Sequence, residues 1–138
     1  MEILAELAAV SDQVQTEFGV HPTEVDWAEA REELVHVFLH EACHAALSAA
    51  APWVHDLADE QHTAVDEVMA RLLEDHMARR LGLFAHTPRQ HVRELGMYPV
   101  RISVEQYAHL ADKWKERFGP HKDLDGMAQY VRRSLFPA

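Results

Sequence analysis

A chain of 138 residues fits one domain, residues 1–138, and can bury a core without disulfide staples. Its formal net charge of −10 opposes binding to nucleic acid or anionic lipid, both of which select cationic surfaces. The lone Cys43 excludes an internal disulfide, and no run approaches the ~20 apolar residues of a membrane span. The opening MEILAELAAV also lacks a basic segment ahead of a long apolar stretch, so the expectation is a cytoplasmic protein.

Sparse Gly and Pro beside abundant Ala, Leu, Glu and Arg predict a mainly α fold with at most a short strand or two. Ile3, Leu7, Val10, Val14 and Phe18 recur at helical spacing, so a first helix is expected over Glu2 to Phe18, ended by Gly19. His21-Pro22 marks a connection. Asp26, with Glu29 three residues on, caps a second helix running to about Ala50. Its middle, LVHVFLHEACHAAL, is apolar almost all round, which predicts a buried helix.

A loop over Pro52 to Asp59 then leads to a third helix over about Glu60 to Leu81, with Gly82 as its terminator. One turn of helix is expected near Arg89 to Leu95 and an extended stretch at Tyr98 to Ile102. Ser103 with Gln106 caps a fourth helix reaching about Phe118, and a fifth spans about Leu124 to Leu135.

The second helix carries the chemistry. His40 and His44 lie four apart, on one face and one turn from each other, so their imidazoles can aim at one point. Glu41 sits beside His40, within reach of a water on the same ion without ligating it. Buried imidazoles and carboxylates need partners, which either a metal ion or a hydrogen-bonded core cluster would supply. His36, a further turn back, is too far along the axis to share the ion and reads as structural or as a partner of the ligands. Cys43 points away from the His40–His44 line and reads as apolar filler.

Zinc needs a third protein ligand. Six residues after His44, where one class of such sites places a third histidine, stands Ala50. The remaining ligand is therefore expected on the third helix. Glu67 is favoured, at the edge of the apolar face of Val65, Val68, Met69, Leu72 and Leu73, with small Ala70 one turn on. Asp66, Glu60, His62 and Glu74 are the alternatives.

HEACH followed by DEVMARLLED resembles the gluzincins, the thermolysin-like zinc peptidases, and most of all their very small members, the minigluzincins. The resemblance covers about forty residues, Val37 to Asp75. It implies a compact helical zincin-like domain in which His40, His44 and Glu67 hold Zn2+ and Glu41 is the catalytic general base. It also implies a peptide or protein substrate. Such enzymes carry an acidic residue four after the glutamate ligand. Here that position is Arg71, so a carboxylate orienting a ligand histidine must come from elsewhere, Glu74 being the nearest. The edge strand that such enzymes lay against a peptide would have to come from residues 97–102.

Tyr98, Tyr107, His109 and His121 are the candidates to stabilise an oxyanion. The tail Tyr130 to Phe136 is a candidate to cover the cleft. Two rivals remain at this level. One is a non-catalytic zinc-binding interaction module. The other is a di-iron helical protein, which Glu41-x-x-His44 fits but for which only Asp59-x-x-His62 offers a second half.

Overall fold

The computed structural model describes Glu17, residues 27–98 and residues 100–137. The helix expected over Glu2 to Phe18, the His21-Pro22 connection and the Asp26 cap lie outside the described residues. The chain divides into two units, Met1–Val35 and His36–Ala138, and the buried core of the described residues lies in the second.

The described residues form a mainly α fold with no strand among them. Helix α1 spans Trp27–Ala50 and is followed by a 3-10 turn, Pro52–Asp56. Helix α2 spans Asp59–Arg80, α3 Pro88–Leu95, α4 Val104–Lys113 and α5 Leu124–Leu135.

Local chemistry accounts for most of these limits. Asp59 and Glu60 stand in the first turn of α2 and Arg79 and Arg80 in its last, matching the helix dipole at both ends. The helix closes at Gly82, whose φ of +70° only a residue without a Cβ adopts cheaply. Gly82 N–H reaches the Arg79 carbonyl at 3.3 Å and Leu83 N–H the Ala78 carbonyl at 2.7 Å, so orphan carbonyls of the last turn are satisfied. Thr87 with Gln90, and Ser103 with Gln106, form reciprocal capping boxes at the starts of α3 and α4. Asp123 accepts from Gly126 N–H at 2.9 Å and starts α5.

Two expectations need correction. The fourth helix does not run regularly to Phe118. It widens at Trp114–Phe118 into a π turn and tightens at Gly119–His121 into a 3-10 turn. The wide turn brings Gly119 so close to Trp114 that a Cβ there would meet the Trp114 carbonyl oxygen at 2.7 Å. Nor is the motif helix buried all round. Cys43 and Leu47 are buried, but Val37 is 59% exposed, and Glu41, Ala42, Ala45 and Ala46 are exposed too. Alanine carries little apolar area, so a helix lined with it stays at the surface at small cost.

The core is organised around α2. Val65, Val68, Met69 and Ala70 are fully buried and Leu72 nearly so. α2 packs against α5, which contributes buried Met127, Ala128 and Val131, and against α3, while α3 packs on α4. Tyr130, Leu135 and Phe136 of the tail lie against this core. The extended stretch expected at Tyr98 to Ile102 does not form a strand: Tyr98 lies in a turn, residues 100–102 carry no regular structure, and Val100 is buried with its N–H on the Leu95 carbonyl at 3.3 Å. No helix of the described residues is long and apolar enough to cross a membrane.

Candidate metal centre

Side chains on α1 and α2 meet along a polar seam. Successive pairs run in opposite directions along the two helices: His36 and His40 to Glu74, then His40 and His44 to Glu67, then His44 to Asp66. The helices are therefore antiparallel here. The i, i+4 spacing stacks His36, His40 and His44 into one stripe, and α2 offers a carboxylate opposite each turn.

His40 and His44 hold their rings nearly perpendicular, with centroids 4.6 Å apart. His40 Nδ1 lies 3.2 Å from Glu74 Oε2, and His44 Nδ1 lies 3.0 Å from Asp66 Oδ1. An ionised carboxylate only accepts, so each Nδ1 carries a hydrogen and donates it. In the neutral imidazoles both Nε2 lone pairs are then bare. Those two Nε2 atoms face one another at 3.0 Å. Glu67 completes the group, with one carboxylate oxygen 3.3 Å from each Nε2.

Two lone pairs and a carboxylate converging on one point repel unless a cation lies between them. Without a metal, protons on the imidazoles take that place. Hydrogen bonds donated to Glu67, then Glu74, raise His40 to about 9, and hydrogen bonds donated to Asp66, then Glu67, raise His44 to about 10. Burial works to raise the Glu67 carboxyl, but hydrogen bonds from His40 and His44 prevail and lower it to about 2. The His40 Nε2 contact to Glu67 Oε2, at 3.3 Å, lacks hydrogen-bond geometry and leaves this buried oxygen for a metal ion to satisfy.

The donor set fits a divalent cation. Ligands about 2.0–2.1 Å from one tetrahedral ion stand roughly 3.3–3.4 Å apart, and the separations here are 3.0 and 3.3 Å. His40, His44 and Glu67 could thus hold a metal ion, their donor atoms all lying within 4.8 Å of one another. No known family model, curated protein or solved structure matches the chain.

The structure brings together the three residues expected as ligands. Asp66 and Glu74 occupy the far nitrogens of the two histidines, where they set tautomer and ring orientation. Glu74 also takes His36 Nδ1 at 3.2 Å on its other oxygen, so His36 supports a ligand's partner. His62 Nε2 stands 3.9 Å from Asp66 Oδ2. Glu41 is exposed on the turn that carries His40, open to solvent. Arg71 is buried and pairs with Glu94 of α3.

The oxyanion candidates have other partners or face solvent. Tyr107 is fully buried and donates to Asp75 Oδ2 at 3.1 Å, His109 bonds Tyr130 Oη at 2.8 Å, and Tyr98 and His121 are exposed. A second polar group went unread in the sequence. His91 Nε2 donates to Asp75 Oδ1 at 2.7 Å, and His86 stacks on His36 at 4.9 Å. Burial, with the neighbouring His91 and His36, keeps His86 below its usual value. No local spacing could reveal this group, because its members come from α1, α2, α3, α4 and the α2–α3 connection.

Proposed function

We propose that this protein is a zinc-dependent metallopeptidase-like hydrolase in which His40, His44 and Glu67 are the metal ligands and Glu41 is the general base. The observation that carries the reading is the convergence of two bare Nε2 atoms and the Glu67 carboxylate on one point, with a carboxylate behind each imidazole. Two nitrogens and one oxygen of this softness suit zinc, and three protein ligands leave a coordination position open, as hydrolytic sites require.

Zinc bound here would supply an activated water near neutral pH and polarise a substrate carbonyl. The protein's own groups do the rest. Asp66 and Glu74 hold the imidazoles in the tautomer that presents Nε2. Glu41, solvent-exposed and one residue round from His40, takes a proton from water and returns it to the leaving amine. A peptide or protein is the substrate class that the resemblance to gluzincins supports.

Metal analysis and peptide turnover on wild type, Glu41→Gln and His44→Ala test the reading. One zinc per chain is expected in wild type and in Glu41→Gln, with turnover reduced at least 100-fold in Glu41→Gln. His44→Ala should lose both metal and turnover. Zinc retained with no turnover in any form would leave a metal-binding module and refute the hydrolase.

A further inference from the structure

A cavity of about 420 Å³ lies on the flank of α1 next to the histidine stripe, about 100° round the helix. Leu39 and Ala46 of α1, Leu73 and Met77 of α2, and Leu124 of α5 make its walls apolar. Arg80 and Lys122, both exposed, stand at it. An adjoining cavity of about 480 Å³ shares His76, Arg80 and Trp114 with it and adds Arg79 and Lys115. Four of the 13 cationic residues of a chain with net charge −10 thus gather at two contiguous cavities. The one carboxylate among their lining residues, Asp75, is already bonded by His91 and Tyr107. His76 registers the same field: burial, then Arg80 and Lys122, hold it below its usual value.

Lys122 adds a second, independent observation. Its φ is +50° and ψ is +42°, the left-handed region, and it is the one non-glycine residue of positive φ among the described residues. Glycine or asparagine would sit there with less strain, and such backbone outliers gather at ligand clamps. A lysine at this position keeps an ammonium beside an apolar hole.

We propose that the 420 Å³ cavity binds a single-chain anionic amphiphile, a fatty-acid-like carboxylate, with its tail against Leu39, Leu73, Met77 and Leu124 and its head between Arg80 and Lys122. Binding sites of this volume are apolar with a few placed polar groups that orient the ligand, and Met77 supplies an adaptable wall. A neutral apolar ligand would leave both exposed cations without a counter-charge, whereas an anionic head pairs with them through charge-assisted hydrogen bonds.

Calorimetric titration of the full chain with decanoate, decanol and acetate tests this. One decanoate per chain is expected, bound at least tenfold more tightly than decanol and weakening as salt rises, with no detectable acetate. Arg80→Gln and Lys122→Gly should each weaken decanoate at least tenfold. Lys122→Gly relieves a left-handed backbone, so its Tm should hold or rise, which separates lost binding from lost fold. Absence of saturable binding, equal affinity for decanol, or unchanged affinity in both variants overturns the proposal. Decanoate binding that disappears with EDTA would put the carboxylate at the histidines and also overturn it, as would self-association that excludes decanoate.

Discussion

Glu67 lies against two imidazoles that are themselves held from behind, and this decides how the site responds to pH. His40 is raised to about 9 by hydrogen bonds with Glu67 and then Glu74, and His44 to about 10 by hydrogen bonds with Asp66 and then Glu67. A raised histidine stabilises the folded, metal-free protein fully below its ordinary 6.5 and loses that contribution as pH climbs through the raised value. Glu67, lowered to about 2 by the histidines against the pull of burial, contributes above its ordinary 4.5 and loses that as pH falls through about 2. These are two views of one coupled set. The cluster's contribution in EDTA-treated protein should therefore be greatest between about pH 4.5 and 6.5. Thermal unfolding of EDTA-treated wild type and His44→Ala checks it: the gap in Tm should be wide at about pH 5.5 and narrow at about pH 10. A gap that widens toward high pH would contradict the charge arrangement. Metal, by contrast, needs deprotonated imidazoles and gains on the protons as pH rises.

At the scale of elements, α1 and α2 divide the work unequally. α1 supplies both imidazoles from one sequence motif, so its contribution could be read from spacing. α2 supplies three carboxylates, Asp66, Glu67 and Glu74, and only their facing residues sort ligand from supporting group. All three belong to the same helix, so the site depends on how the packing and the ends of α2 position it. Gly82 tests the C-terminal end. A Cβ there meets nothing within 4 Å, so Gly82→Ala adds backbone strain at φ +70° without a clash. Its expected cost is about 1–2 kcal/mol, read as a lower urea midpoint with an unchanged slope. An unaltered midpoint would mean that α2 ends equally well without this turn.

For the whole molecule, the proposed zinc is a tie as well as a reagent. Its ligands come from α1 and from α2, and α2 is the helix around which the core is built. An ion that binds only the folded chain stabilises it by about 2.7 kcal/mol at roughly a hundred times its dissociation constant. Zinc at that excess should raise the unfolding free energy of wild type by that amount, and His44→Ala and Glu67→Ala should lose the increment. Equal stabilisation of both variants would mean that zinc acts elsewhere on the protein.

The α-helical class, the capping box at Ser103, the stop at Gly82 and the His40–His44 pair are all dictated by short-range spacing and backbone preference, which a linear chain displays directly. The outer face of α1 misled a reading by composition, because apolar residues of small area do not compel burial. Other features depend on residues far apart in the chain: which α2 carboxylate faces both Nε2 atoms, the pairing of Arg71 with Glu94, the His91–Asp75–Tyr107 group and the basic cavity beside Lys122. They arise where separate helices bring their side chains within a few ångströms, and the packing of α2 against its neighbours is what selects them.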